Sequence, residues 1–399
     1  MIINKLSNLI TSLIYLLSIS QVAKKTILSN TLEYSPWSYS ELLISYPSIF
    51  IRRGFIGELI TLFDSDTVLF DTVNIFIFVN FVVFCLLSYI HIKISKLNPV
   101  QHLLYLISIF GILNITLFNQ YYHRKEIFVL NLFMITLLLI RFKIQNYFLF
   151  IFTLIFSVLM VLIHEGIAML AIAFIILILK NKTQFSSKMI NVYSSIVLLS
   201  FMSVIISTGN DGVANLIWTN LSEFDRNLID VDVRSITKIE PNAITAIDWS
   251  LSDSFFKTTQ VLIFSGSMFL WTFYFFMFLW TFNVIFKIEF NKTDININRV
   301  KDFLLMEKYF IVVPILFIVG FDWGRWIFSL FHLSFISYLL FIGKSNRNVI
   351  WSFPIISFIL VSMLTIMPEC CLQMEGTTIT SNYYRVLKSI QLTIQSALN

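Results

Sequence analysis

Apolar residues in this chain come in runs of about 15–27 separated by brief polar punctuation, not in the two-residue rhythm of a half-buried strand. Runs of that length suit helices that cross a bilayer, which need about 20 residues, and exceed the roughly ten of a barrel strand. The pattern predicts an all-α polytopic membrane protein of about eleven transmembrane helices, at about 7–23, 68–92, 102–119, 127–142, 147–163, 166–180, 190–208, 259–286, 307–321, 326–343 and 349–367. His164-Glu165 alone separates the fifth run from the sixth. No repeat of 20–50 residues is visible, so residues 1–399 read as one transmembrane domain, with a large outward loop at 209–258 inside it.

The polar connections carry a second pattern. With Lys5 and the N-terminus placed in the cytoplasm, strict alternation puts a basic cluster in every inward connection. These are Lys93/Lys96, Arg141/Lys143, Lys180/Lys182/Lys188, Lys287/Lys292/Arg299/Lys301 and Lys344/Arg347. An odd number of spans sends the C-terminus outward. Lys5 ahead of an apolar stretch resembles a signal peptide, but no small-residue cleavage site closes it, so an uncleaved first helix is expected. The loop at 209–258 contains Trp218, Phe224, Trp249, Phe255 and Phe256, which favours an ordered segment; its acidic and basic residues, Asp225 among them, read mostly as solvated charge. His91 and His102 flank an inward loop and read as interfacial.

Composition sharpens this picture only in part. Hydrophobic residues make up 57% of the chain and charged residues 13%, about half the charged share of soluble domains. The net charge of +5 is dispersed among connections instead of forming a nucleic-acid-binding face. Cys85, Cys370 and Cys371 have no metal-ligand spacing, and no metal or cofactor is expected.

The candidate chemistry lies on the outward side. Arg124, Lys125 and Arg325 occupy short outward connections, against the positive-inside tendency, and so need an anionic partner: lipid phosphate or a carboxylate of the protein. In Arg52-Arg53-Gly54-Phe55-Ile56-Gly57-Glu58, paired arginines beside glycine suit a phosphate or pyrophosphate. His164-Glu165-Gly166 interrupts two apolar runs, and its carboxylate and imidazole could act as general base or orient a sugar hydroxyl. Asp322 and Arg325 share a helix face, with Trp323 and Trp326 as interface aromatics or sugar-stacking platforms. His123-Arg124-Lys125-Glu126 reads either as part of the site or as a salt-bridged helix start.

The segments RRGFIGE, HRKE, HEG and DWGRW, with about eleven spans and one long outward loop, resemble the Wzy-type O-antigen polymerases of bacterial surface polysaccharide. The resemblance implies multi-pass insertion in the bacterial inner membrane, N-terminus cytoplasmic and C-terminus periplasmic. It implies a metal-independent glycosyltransferase that polymerises undecaprenyl-pyrophosphate-linked repeat units at the periplasmic face, in contact with membrane lipids and with scope for a chain-length regulator. Glu165, His164 and Asp322 then become the candidate catalytic residues. Arg52, Arg53, Arg124, Lys125 and Arg325 would hold pyrophosphate, and Trp323, Trp326, Glu58 and His123 would contact sugar. The alternatives are a GT-C-type glycosyltransferase using a lipid-linked sugar, or a transporter of lipid-linked oligosaccharide. Scattered Glu33, Glu41 and Glu58, with no adjacent acidic pair, count against the first; low Gly and Pro content counts against the second.

Overall fold

The computed structural model describes residues 2–63, 68–117, 121–207, 209–229, 267–286 and 323–341, with isolated positions between 243 and 256 and at 361–362. The expected spans at about 307–321 and 349–367, most of the loop at 209–258 and the C-terminal tail lie outside the described residues. Regular structure among the described residues is helical throughout: α1 (Ile2–Thr26), α2 (Pro36–Leu42), α3 (Phe55–Phe63), α4 (Phe70–Ile94), α5 (Pro99–Ile107), α6 (Ile112–Leu117), a 3-10 turn (Tyr121–His123), α7 (Lys125–Arg141), α8 (Asn146–Ile163), α9 (Glu165–Lys182), α10 (Ser187–Ile206), α11 (Asp211–Asn220), α12 (Glu223–Ile229), α13 (Ser267–Phe286) and α14 (Trp323–Phe341).

Five stretches are long and apolar enough to cross a membrane: Lys5–Thr26, Leu69–Ile94, Pro99–Leu117, Asn146–Ile163 and Ser187–Ile206. Their outer surfaces agree with that. Leu9, Leu13 and Leu16 of α1, Phe148 and Phe152 of α8, and Leu198, Leu199 and Met202 of α10 are all exposed. Stripes of this kind suit acyl chains, because water would be ordered against them at a cost. Helix α7 lies inside, packed on α4, α8, α9 and α14.

The run expected as one helix at 102–119 is broken in two. Helix α5 starts in a capping box, with Asn98 accepting from the Val100 amide at 2.9 Å and Pro99 in the first turn. It stops at Ser108, whose hydroxyl donates to the Tyr105 carbonyl, and Gly111 packs so closely on the Tyr105 and Leu106 carbonyls that no Cβ fits. The Asn114 side chain donates to the carbonyls of Ile107 and Ser108, replacing intrahelical bonds lost at the break. Unsatisfied carbonyls in a lipid-excluded interior cost several kcal/mol each, so this side chain permits the interruption. At the other uncertain boundary, His164 is a single extended residue (φ −159°, ψ 99°) that ends α8 and begins α9.

Helices α4, α7 and α9 run between two chemically distinct ends. At one end Arg141 donates to the Ser95 hydroxyl at 2.7 Å, near Lys93, Lys96 and Lys143. At the other, Lys125 and Glu165 open α7 and α9. The described part of the long loop closes over this second end. Asp225 of α12, expected as solvated, is fully buried and accepts from the Tyr39 hydroxyl (2.6 Å), the Ser222 hydroxyl (2.6 Å) and the Leu69 amide (3.1 Å). Ser40 accepts from the Ala243 amide at 2.9 Å. Three donors fill most of the roughly four acceptor sites of a carboxylate and give each oxygen a partner, which offsets its removal from water. His91 and His102 are both buried, bonded to the Met134 carbonyl and the Tyr15 hydroxyl.

Helices α4 and α7 end alike. Lys96 and Lys143 adopt left-handed backbone (φ 54° each), with Leu97 N donating to Ile92 O and Ile144 N to Leu139 O. This is the Schellman closure, normally made by glycine. Lys143→Gly therefore raises the thermal midpoint in detergent, relieving of order 1 kcal/mol of steric cost, whereas Lys143→Val lowers it.

Candidate functional site

Five segments distant in sequence bring their charged residues to the end of the bundle that the long loop covers. Glu41 comes from α2 and Arg53 from the turn before α3. His123, Arg124, Lys125 and Glu126 come from the 3-10 turn and the start of α7; His164 and Glu165 from the α8–α9 junction; Arg325 from the first turn of α14. The Tyr39–Asp225 and Ser40–Ala243 bonds hold α2, and so Glu41, against this end.

Arg325 is the centre. Its Nη2 lies 3.2 Å from each Glu41 oxygen and its Nε donates to Glu126 Oε1. Arg124 Nη1 adds a 3.5 Å contact to Glu41, and His164 Nε2 lies 3.6 Å from Glu126 Oε1. Glu126 is completely buried and Arg325 2% exposed. Charges so far from water persist only when paired, since desolvation alone costs several kcal/mol per ion.

A second pair lies beside the first. Arg53 grips Glu165 through Nε (3.0 and 3.1 Å) and Nη2 (2.7 Å), a forked geometry that a carboxylate matches. Buried Lys125 donates to the Arg53 carbonyl at 2.7 Å, fixing the turn in which Arg53 takes left-handed backbone (φ 63°). Arg53 keeps a third of its side chain exposed and forms the accessible rim. Three carboxylates (Glu41, Glu126, Glu165) thus face four cations (Arg53, Arg124, Lys125, Arg325), with Arg52 close by. The constellation carries an excess of positive charge, and Lys125 donates to a neutral carbonyl.

Electrostatics fix the protonation of the outer members. Burial alone would raise the Glu41 carboxyl, but Arg325, Lys125 and Arg124 outweigh it and hold the group well below the usual carboxylate range. Burial, reinforced by Arg124 and Arg325, pushes His123 well below an ordinary imidazole, so its ring is neutral at pH 7, stacked on Tyr34 at 4.7 Å.

The residues singled out from sequence meet unequally. Arg53, Arg124, Lys125, Arg325, His164 and Glu165 converge, and Arg52 stands at the rim, its amide bonded to Ser207 O. The partners of Arg124 and Arg325 are carboxylates of the protein. Glu165 is committed to Arg53 through both oxygens. Glu58 accepts from the Tyr46 amide and closes its own loop. Gly54 and Gly57 do not open backbone to a ligand: a Cβ at either would strike the Tyr46 ring or the Ile44 carbonyl. Trp326 belongs to the apolar core and Trp323 is half-buried against it. Asp322 lies outside the described residues, so its pairing with Arg325 does too.

Sequence reading named Glu41 only as a scattered acid of the first outward loop and left Glu126 open between the site and a salt-bridged helix start. A signal existed for Glu41, the sole charged residue between Tyr34 and Ile51. Among the described residues, no group of three or more His, Cys, Asp or Glu is arranged to hold a metal ion. The chain matches no protein-family model, no curated protein and no solved structure.

Removing Arg325 leaves two buried carboxylates facing each other. Arg325→Met costs about 3–5 kcal/mol of stability, and adding Glu126→Gln to it costs less than the sum of the single changes, as thermal unfolding of the three variants will show. For His123 the folded value lies below the unfolded 6.5, so its contribution is full above about pH 6.5 and is lost as pH falls below it. The thermal midpoint should accordingly decline below about pH 6.5, less steeply in His123→Phe. Glu41, also depressed, keeps its full contribution down to about pH 4.5 and loses it only as pH falls further.

Proposed function

We propose that this protein polymerises lipid-linked oligosaccharide repeat units, as the Wzy-type polymerases do, at the periplasmic face of the bacterial inner membrane. The observation that carries the reading is the excess of cations in a nearly closed constellation at the ends of α7 and α9, opposite the connections rich in lysine and arginine. If the basic connections are cytoplasmic, that constellation faces the periplasm. Eleven spans, with the N-terminus cytoplasmic and the C-terminus periplasmic, complete this topology.

Undecaprenyl pyrophosphate fits both halves of the site's chemistry. Its polyprenyl tail is at home against the exposed Leu and Phe stripes, and its diphosphate matches the cationic groups of Arg52, Arg53 and Lys125 at this end of the bundle. In the transfer, an acceptor sugar hydroxyl attacks the anomeric carbon of the donor glycan. The bond from that carbon to the phosphate oxygen breaks, and the electron pair leaves on the pyrophosphate. Preorganised cations stabilise that developing charge without reorganising. Arg124 and Arg325 act one step back, fixing Glu41 and Glu126.

One observation favours a second reading, a GT-C-type glycosyltransferase: Glu41 belongs to the first outward loop and lies at the heart of the site. The two differ in what accumulates when the protein is lost. Deletion in the native strain should leave a single repeat unit on the acceptor and erase the long-chain ladder on a gel. A Lys125→Met copy should restore the ladder far less than the wild-type gene. Complete loss of repeat units would favour the earlier glycosyl transfer instead, and an unchanged ladder would overturn both.

A further inference from the structure

The buried contact between α7 and the α8–α9 junction has two atoms without a partner. Glu126 accepts from Arg325 through Oε1 alone, leaving Oε2 buried with no donor, and His164 Nδ1 is likewise buried with no partner. Glu126 and His164 are 0% and 3% exposed. The partnerless buried atoms of Asn80, Asn131 and Thr153 belong to neutral side chains. Among the described residues, only here do an acceptor on an ionised group and an imidazole nitrogen occur on two side chains already in contact, 3.6 Å apart through Oε1 and Nε2. Leaving a charged acceptor unmet costs more than about 1–3 kcal/mol, so the position demands a donor. With His164 protonated on Nε2, both orphan atoms are acceptors, and a sugar, with hydroxyls on neighbouring carbons, brings an O–H donor for each.

We propose that Glu126 and His164 together form the seat of the acceptor sugar, one hydroxyl donating to Glu126 Oε2 and the attacking hydroxyl to His164 Nδ1, with His164 as the general base. This deepens the polymerase reading and rests on it. The hydroxyl proton passes to His164 Nδ1 as the oxygen bonds to the anomeric carbon and the pyrophosphate departs with its electron pair. His164 Nε2–H faces Glu126 Oε1, and the Glu126 carboxylate stabilises the imidazolium that results. The 3.6 Å separation is longer than a hydrogen bond and closes as the substrate binds, as catalytic contacts commonly do. Glu165, sequestered by two-pronged bonding to Arg53, anchors that arginine instead. The charged groups facing His164 are Arg53 from the turn before α3, Glu41 of α2, Glu126 of α7, Arg325 of α14 and Glu165 of its own helix.

The test uses the full-length protein in lipid nanodiscs, with lipid-linked repeat units extracted from the deletion strain. Chain growth is followed from about pH 5 to pH 9, the range an imidazole commands. The wild-type rate should fall towards acid, as His164 gains a proton and ceases to be a base. His164→Gln should lower the rate about 10²–10⁴-fold and abolish that acid limb. Glu126→Gln should slow the reaction and move the limb to lower pH, because the imidazolium has lost its neighbouring carboxylate. A merely structural Glu126 would leave the limb in place. His164→Gln working within threefold of wild type, with the same limb, overturns the assignment and leaves the polymerase reading intact. If His164→Gln fails to fold, an unmoved limb in Glu126→Gln overturns it. An unchanged ladder in the deletion strain together with inert wild-type protein overturns both.

Discussion

Arg325 holds Glu41 and Glu126 in a region from which water is excluded, and this end of the helix bundle is arranged around that bridge. Neither carboxylate could remain ionised there alone, nor could the guanidinium. The pairing fixes the relative placement of α2, α7 and α14, three elements that share no local sequence. Once they are placed, the neighbours follow: Arg124 comes to Glu41, His164 to Glu126, and the turn bearing Arg53 closes over Lys125. The guanidinium suits this task because it is planar and donates along more than one edge, which a lysine cannot imitate.

Where helices break, side chains replace the missing backbone bonds. Asn114 does so inside the α5–α6 stretch, while the α8–α9 junction passes from one helix to the next through one extended residue. The second solution is the more consequential. It leaves His164 and Glu165 at the exact boundary of two packed apolar helices, with their side chains delivered to different partners: Glu126 for one, Arg53 for the other. The long loop supplies the remaining restraint through Asp225, which bonds α2 and the start of α4 at once.

Much of the architecture was legible in apolar run length, because a bilayer imposes a minimum on any helix that crosses it. The break near Ser108 was not, since Asn114 and Gly111 look innocuous within a hydrophobic stretch and their effect depends on close backbone packing. Site residues could be read where a charge violated an expectation, as Arg124, Lys125 and Arg325 did. Their partners were harder. Glu41 sits in an outward loop, where a carboxylate breaks no rule, and Glu126 follows a helix start, where one is commonplace. Asp225 looked like solvent-exposed charge for the same reason. Composition tells that an acid is present, but which acid is buried depends on contacts across 186 to 284 residues.

Those separations bear on how the protein is made. Glu41 meets Arg325 only after 284 further residues have been synthesised, and Glu126 only after 199. At 5–20 residues per second the first carboxylate waits roughly 15–60 s for its arginine. Through that interval it lacks the guanidinium that lets it stay ionised away from water. Sealing the charged constellation is therefore a late event that the arrival of α14 completes.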